Sequence, residues 1–365
     1  MMQDIGKRIK FARECAGLTQ AEVAARFGFK DRQTLVALES GKRKQLAGEL
    51  LKACQIFEKP LEFFTDPFHL FEEGRFTWHA KSPLTKTALN ALNEKVGSYL
   101  ALYRTLKTDT TSSSVLEPRL ILECEGDASQ VIRAARALSK EWALNPVPAD
   151  RVECAILKHL PFMVFDLDLP AGVYSGSCRL NALSSIFLSR ALSYKERALE
   201  LTRQCFILLT AEQLKASPLW TSAMSAKGKG AAKHAERLTR QFLYELLIPE
   251  ARAKEFLERC GKNVFQTIQA TTVILQVPAR FVLERFEDLG EVTAKTRAAV
   301  LRIKEEHVAA QRKAFNESFI REVHRGIATG RISQKVVARL LELDCEKLED
   351  LFESYSLDTR VLMTF

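Results

Sequence analysis

Apolar positions recur at helical spacing from the start of the chain. Ile5, Ile9 and Ala12 share one face, and Gly17 ends the run. Thr19 followed three residues later by Glu22 forms a capping box, so a short helix is predicted over Gln20–Phe27, closed by Gly28. Asp31 can cap a third helix, Arg32–Ser40, which turns Leu35 and Leu38 inward beside Val23 and Ala24. Arg32, Gln33, Thr34 and Ala37 are left on its outward face.

Beyond Pro60, Asp66 and Pro67 a helical stretch from Leu84 to Lys107 carries Leu89, Leu92, Val96 and Leu100, and reads as a spacer or dimerisation arm. The polar tract Thr108–Ser114 reads as a loop. A helix over Ala128–Trp142, a Pro-rich turn and a second helix to Leu160 follow. Apolar and β-branched runs at Phe162–Leu167, Tyr174–Leu180 and Ser185–Leu188 then predict a small antiparallel sheet. Helices are expected over Tyr194–Thr210 and Lys233–Leu247, flanking a mobile Gly/Lys/Ala stretch at Ser222–Ala232. Further helices are expected around Phe256 and over Val264–Ile274, followed by a short helix pair around Phe281–Leu289. A long charged helix from Thr293 to Arg325 has a stripe of Val300, Ile303, Val308 and Phe315 usable for dimer contacts. Two short helices after Gly330, the first capped by Ser333, look like a helix-turn-helix in miniature whose first helix would meet DNA, but a packing element is the preferred expectation. The second, CEKLEDLFESY, is acidic and would repel phosphates.

With 365 residues, 47% of them hydrophobic and 27% charged, the composition is globular and calls for more than one core. No run is long and apolar enough for a signal or a membrane span, so a cytoplasmic location is expected. Eight cysteines are scattered without a CxxC pair and read as small buried hydrophobes. The net charge of +9 favours a polyanionic partner without naming it.

The N-terminal pattern narrows that choice. Two short helices across a tight turn, with polar residues at the start of the second, form a shape that enters a major groove. Arg32 and Gln33 have the chemistry to read base edges, with Thr34 and Ala37 beside them. Gln20, at the first of those helices, and Lys42, Arg43 and Lys44, past Gly41, can hold phosphates. The runs GLTQAEVAARFG and TLVALESGKRK resemble the xenobiotic-response-element (Cro/cI-type) helix-turn-helix family, over about residues 4–66. The resemblance implies a double-stranded DNA partner, a homodimer and an inverted-repeat operator. The turn Phe29-Lys30-Asp31-Arg32 departs from the family by one extra residue, which bears on the base-reading set.

Residues 127–345 resemble the ImmA/IrrE metallopeptidase family, through the Arg133–Leu144 opening, the strands FMVFDLD and SSIFLS, the Arg197 helix and the run from Glu236 to Leu246-Leu247-Ile248-Pro249. That family uses HExxH, whose two histidines at i and i+4 bind zinc while the glutamate activates water. Alignment on Arg197 places Thr202, Arg203 and Phe206 at these positions, and Glu236 at the third ligand. Phe206 cannot ligate, and Arg203 repels a cation and accepts no proton. Glu236 is expected to pair with Arg203 or another cation, and His234 to lie in a loop. The remaining histidines form no i, i+4 pair. The resemblance therefore implies an inactive peptidase-like domain with no catalytic residues, no metal and no cofactor, whose cleft is left for a small molecule or a protein, or which serves only as a support for the head.

The fold class expected is mainly α with a small antiparallel sheet (α+β). The expected parts are a helix-turn-helix head at 1–70, a helical linker at 71–126, a degenerate peptidase-like domain at 127–250 and a helical C-terminal region at 251–365. The functional expectation is a sequence-specific transcriptional regulator acting as a repressor. An antitoxin or phage-defence regulator that binds a partner protein and controls its own operon is the alternative.

Overall fold

The structure is a computed structural model that describes residues 2–68, 70, 74–107, 127–180, 183–210, 219–221, 230–260, 263–303 and 312–362. In chain order the elements are α1 (Met2–Cys15), α2 (Gln20–Phe27), α3 (Arg32–Glu39), α4 (Ala47–Phe57), α5 (Leu61–Thr65), β1 (Arg75–Ala80), α6 (Lys86–Leu106), α7 (Ala128–Glu141), α8 (Pro148–His159), β2 (Phe162–Leu167), β3 (Val173–Leu180) and β4 (Leu183–Ser189). They continue with α9 (Tyr194–Leu209), β5 (Leu219–Thr221), α10 (Ala231–Leu247), α11 (Glu250–Cys260), α12 (Val264–Leu275), α13 (Ala279–Asp288), α14 (Ala294–Val300), α15 (Glu317–Ala328), α16 (Gln334–Leu341) and α17 (Cys345–Ser354). The chain is mainly helical with one small sheet. It forms two compact units, residues 1–74 with 86–111 and 318–365, and residues 75–85 with 112–317.

In the first unit α1 to α5 enclose Ile9, Val23, Phe27, Leu35, Leu38, Phe63 and Phe64. Gly6 allows α1 to cross α3 backbone to backbone. A Cβ there would meet the Glu39 carbonyl oxygen at 2.9 Å and the Leu38 oxygen closer still. A second group of helices in this unit contains α6. The Leu84–Lys107 reading as a spacer or dimerisation arm is corrected here, because Val96, Leu100, Ala101 and Leu102 are all fully buried. Burial around the whole circumference, with the Tyr99 and Tyr103 rings each 6.3 Å from Phe319 of α15, makes the C-terminal half of α6 a core helix. Ser333 caps α16 by accepting from the Val336 N–H, and Val337, Leu348 and Phe352 pack inward.

In the second unit the strands lie in the order β2-β4-β3-β1-β5. The sheet is mixed rather than antiparallel: β3 runs antiparallel to β1 and β4, while β2 pairs with β4 and β1 with β5 in parallel. The reason is one of order. β4 turns back from β3 and slots between β2 and β3, so β2 and β4 point the same way, which alternation along single strands does not reveal. β1 and β5 were not anticipated, since β1 lies far from its partners in sequence and β5 has only three residues.

One sheet face presents Phe162, Val164, Ile186 and Leu188 to the core formed with α7 to α10. On the other face the Trp78 indole covers Gly176, where a Cβ would come within 2.6 Å of the ring, and stacks on Phe187 at 5.9 Å. The expected helix Thr293–Arg325 is also corrected. It breaks after α14, and Val300 and Phe315 are buried within this chain, so they are not a stripe for another copy. Val308 and most of the Ser222–Ala232 and Thr108–Ser114 stretches lie outside the described residues. The cysteines are not uniformly buried: Cys178 and Cys205 are, but Cys15, Cys154 and Cys345 occupy exposed helical positions. Among the described residues no helix is long and apolar enough to cross a membrane.

Candidate nucleic-acid interface

The head is organised around the end of α3. Glu39 is buried, and its carboxylate accepts from Arg13 Nε at 2.6 Å, Arg13 Nη2 at 3.2 Å and Gln20 Nε2 at 3.0 Å. The hydrogen bond to Glu39 raises the Arg13 pKa further, so the guanidinium stays charged. Three helices are thereby pinned at one point: α1 through Arg13, α2 through Gln20 and α3 through Glu39. The pairing of Arg13 with Glu39 escaped the sequence reading, because two residues 26 apart leave no periodic signal.

α2 begins as expected, with Thr19 and Glu22 each accepting a hydrogen bond from the other's backbone N–H. Gly28 ends it in the left-handed region at φ 79°, a conformation that favours glycine. The chain then passes through Phe29 and Lys30 to Asp31, whose carboxylate accepts from the Thr34 N–H at 2.8 Å and the Thr34 hydroxyl at 3.1 Å. Those bonds lower the Asp31 pKa and hold a charged cap on α3 at neutral pH.

Among the expected DNA-facing residues, Arg32 and Gln33 are exposed on the first turn of α3, and Thr34 and Ala37 are half-buried beside them. Lys42 and Lys44 are exposed after the helix. Arg43 differs. Its Nη2 donates to Glu49 at 2.7 Å and its guanidinium lies 5.4 Å from the centre of the Phe29 ring, so it packs the α3–α4 connection. Gln20 spends its amide on Glu39 and is half-buried. Lys30, exposed in the turn before α3, is a cation that the sequence reading passed over.

This geometry, a rigid trihelical head that presents the polar start of its third helix to solvent, defines a DNA-binding helix-turn-helix. Residues 9–64 match the family described as helix-turn-helix, of the xenobiotic-response-element type, so this part of the chain is the head of a DNA-binding regulator. No curated protein and no solved structure matches the chain.

The positions assigned to a metal in the second unit do not converge on a ligand set. Thr202 is fully buried and its hydroxyl donates to the Ala198 carbonyl at 2.7 Å. Phe206 is fully buried, with its ring centre 4.6 Å from that of Phe242. Arg203 lies 3.5 Å from Glu200, and Glu236 accepts from Arg240 at 2.9 Å. His234 is on α10 rather than in a loop, and its Nδ1 faces Arg237 at 3.3 Å, because the helix begins three residues before it.

What α9 carries instead is a buried polar cluster against β1 and β3. The Glu200 carboxylate meets His79 Nδ1 at 2.8 Å and accepts from the Ser175 hydroxyl at 2.6 Å, while Gln204 donates to Ser175 Oγ at 2.8 Å. Burial opposes ionisation of Glu200, but the charges of His79 and Arg203 and the hydrogen bonds from His79 and Ser175 outweigh it and bring its pKa to about 2. The pairing of His79 with Ser175 in the β1–β3 register sets both side chains on the face that α9 covers.

Proposed function

We propose that the chain is a sequence-specific transcriptional repressor that binds an inverted-repeat operator as a homodimer, with Arg32 and Gln33 reading bases and Thr34 and Ala37 making close approach to them. The observation that carries this reading is the division of α3: Leu35 and Leu38 are fully buried, whereas Arg32 and Gln33 reach solvent from its first turn. Such a helix inserts its N-terminal residues into a major groove, where Arg pairs with guanine and Gln with adenine. Lys42 and Lys44 are phosphate contacts. Gln20 sets the register of α2 from its tether on Glu39, and Arg43 acts through the α3–α4 connection. A regulator of this kind works beside the chromosome in the cytoplasm.

The second unit is a peptidase-like domain without catalysis in this reading. Zinc would need two imidazoles one helical turn apart and a carboxylate, and the residues here do not fit it. Phe206 offers no donor and is packed on Phe242, while Glu236 is neutralised by Arg240. The unit serves as a sensor or interaction domain.

Replacing Arg32 and Gln33 singly by Ala tests the assignment in a mobility-shift or fluorescence titration. Each variant loses about 1 to 3 kcal/mol on the operator and far less on random DNA. Equal losses on both would show that neither residue reads sequence.

A further inference from the structure

α2 closes at Gly28 and Asp31 caps α3, so the turn between them consists of Phe29 and Lys30. This is the turn that runs one residue longer than the family pattern. Its two residues have different surroundings. The Phe29 ring stacks on Phe27 with centroids 5.1 Å apart, and the Arg43 guanidinium lies over it at 5.4 Å. Lys30 is exposed and has no ionic partner among the described residues.

Several cations of the head are spent on its own fold. Arg8 donates to the Phe63 carbonyl at 2.9 Å, Lys52 donates to the Phe27 carbonyl at 2.8 Å, Arg13 is held by Glu39 and Arg43 by Glu49. Lys30, Arg32, Lys42 and Lys44 are not: all four are exposed, without an ionic partner among the described residues, and they bracket α3. The clip of Arg43 on Phe29 ties the two brackets together. Lys30 directly follows Phe29, and Lys42 and Lys44 flank Arg43, so cations from opposite ends of α3 are held in one neighbourhood. Asp31 stays ionised between Lys30 and Arg32, since its bonds to Thr34 lower its pKa. Asp31 and Arg32 alone would cancel, and Lys30 leaves the turn with a surplus positive charge beside the reading end of α3.

We infer that Lys30 is a phosphate contact, and that the Phe29–Arg43 clip joins it to Lys42 and Lys44 in a single cationic edge along the DNA backbone, beside the groove that α3 enters. A lysine ammonium on its flexible stem suits a backbone phosphate, a contact that fixes register and carries no base identity. The inference rests on the DNA-binding reading of the head and adds to it a contact from the turn.

The test is fluorescence titration of the full chain with a labelled duplex of mixed sequence, about 30 base pairs long to give room for two heads one helical turn apart, over a series of potassium chloride concentrations. Lys30→Ala should flatten the slope of log affinity against log salt by about 0.9 for each bound head, and Lys30→Arg should keep the wild-type slope. Lys59→Ala removes an equal charge from a lysine that lies over Phe63, and should leave the slope unchanged. A phosphate contact is blind to sequence, so the loss in Lys30→Ala should be the same on a second duplex of shuffled sequence. A wild-type slope in Lys30→Ala, a loss confined to one duplex, or an equal flattening in Lys59→Ala would overturn the proposal and leave DNA binding by the head intact. Failure of the wild-type chain to bind either duplex would overturn the DNA-binding reading and the proposal with it.

Discussion

Three hydrogen bonds converge on Glu39 from Arg13 and Gln20, and at residue scale they give the head one of its largest single sensitivities. Removing one partner of a buried ion pair leaves the other charged and desolvated. Glu39→Gln is expected to lower the stability of the head by about 3 kcal/mol, read by chemical denaturation. It should weaken operator binding without touching any DNA-facing residue. A loss below about 0.5 kcal/mol would mean that the pair is solvated like a surface one.

Glu200 gives the second unit a pH dependence of predictable sign. Its folded pKa, about 2, lies below the value of about 4.3 expected in the unfolded chain. The ionised carboxylate therefore stabilises the fold above about pH 4.3, and that contribution drains away as pH falls towards about 2. Tyr174, whose ring centre lies 5.3 Å from that of His79, stays protonated through this window, since burial raises its pKa. Thermal unfolding from about pH 4.5 down to about 2.5 should show a steeper fall in Tm for the wild type than for Glu200→Gln. Parallel slopes would remove Glu200 from the account.

At the scale of elements, the crossing of α1 over α3 depends on the missing side chain of Gly6. Gly6→Ala would push a methyl group into the Leu38 and Glu39 carbonyls, where rigid backbone cannot yield. Operator affinity is expected to fall more than tenfold, and circular dichroism should show part of the head's helix lost. Near-normal binding would show that the two helices can separate without disturbing the reading surface. Asp31→Ala acts more gently. It removes the cap from the first turn of α3, so Arg32 and Gln33 become less well ordered and binding weakens severalfold.

Legibility differed sharply between elements. Gln20–Phe27 was bounded correctly from Thr19, Glu22 and Gly28, and Phe162–Leu167 from its apolar run, because a cap or a strand's own composition is a local signal. α6 was found as a helix but misjudged as an arm, since a sequence shows one apolar stripe and not how many neighbours surround it. β1 was missed outright: its partner β3 is almost a hundred residues further on, and only that pairing makes Arg75–Ala80 a strand. In the interface, Arg32 and Gln33 were readable as outward because Leu35 and Leu38 had to face in. The diversion of Arg43 to Glu49 and Phe29 was not, because it depends on where α4 starts in space.

For the whole molecule, DNA affinity should fall steeply with salt, because phosphate contacts release counterions. The plot of log affinity against log salt should flatten by about 0.9 for each of Lys42→Ala and Lys44→Ala. Arg43→Ala should instead act through the stability of the head. A change of slope in Arg43→Ala equal to that of the two lysine variants would return Arg43 to the phosphate set.

The amino-acid order alone settled those features whose causes lie within a few residues of one another: the caps of α2 and α3, the apolar faces that close the head, and the outward placement of Arg32 and Gln33. Only the folded chain decided the strand order of the sheet, the depth of α6, the duty of Arg43 and the meeting of His79, Ser175 and Glu200. Each of these rests on groups distant in sequence, whose approach is set by packing and leaves no trace in local periodicity.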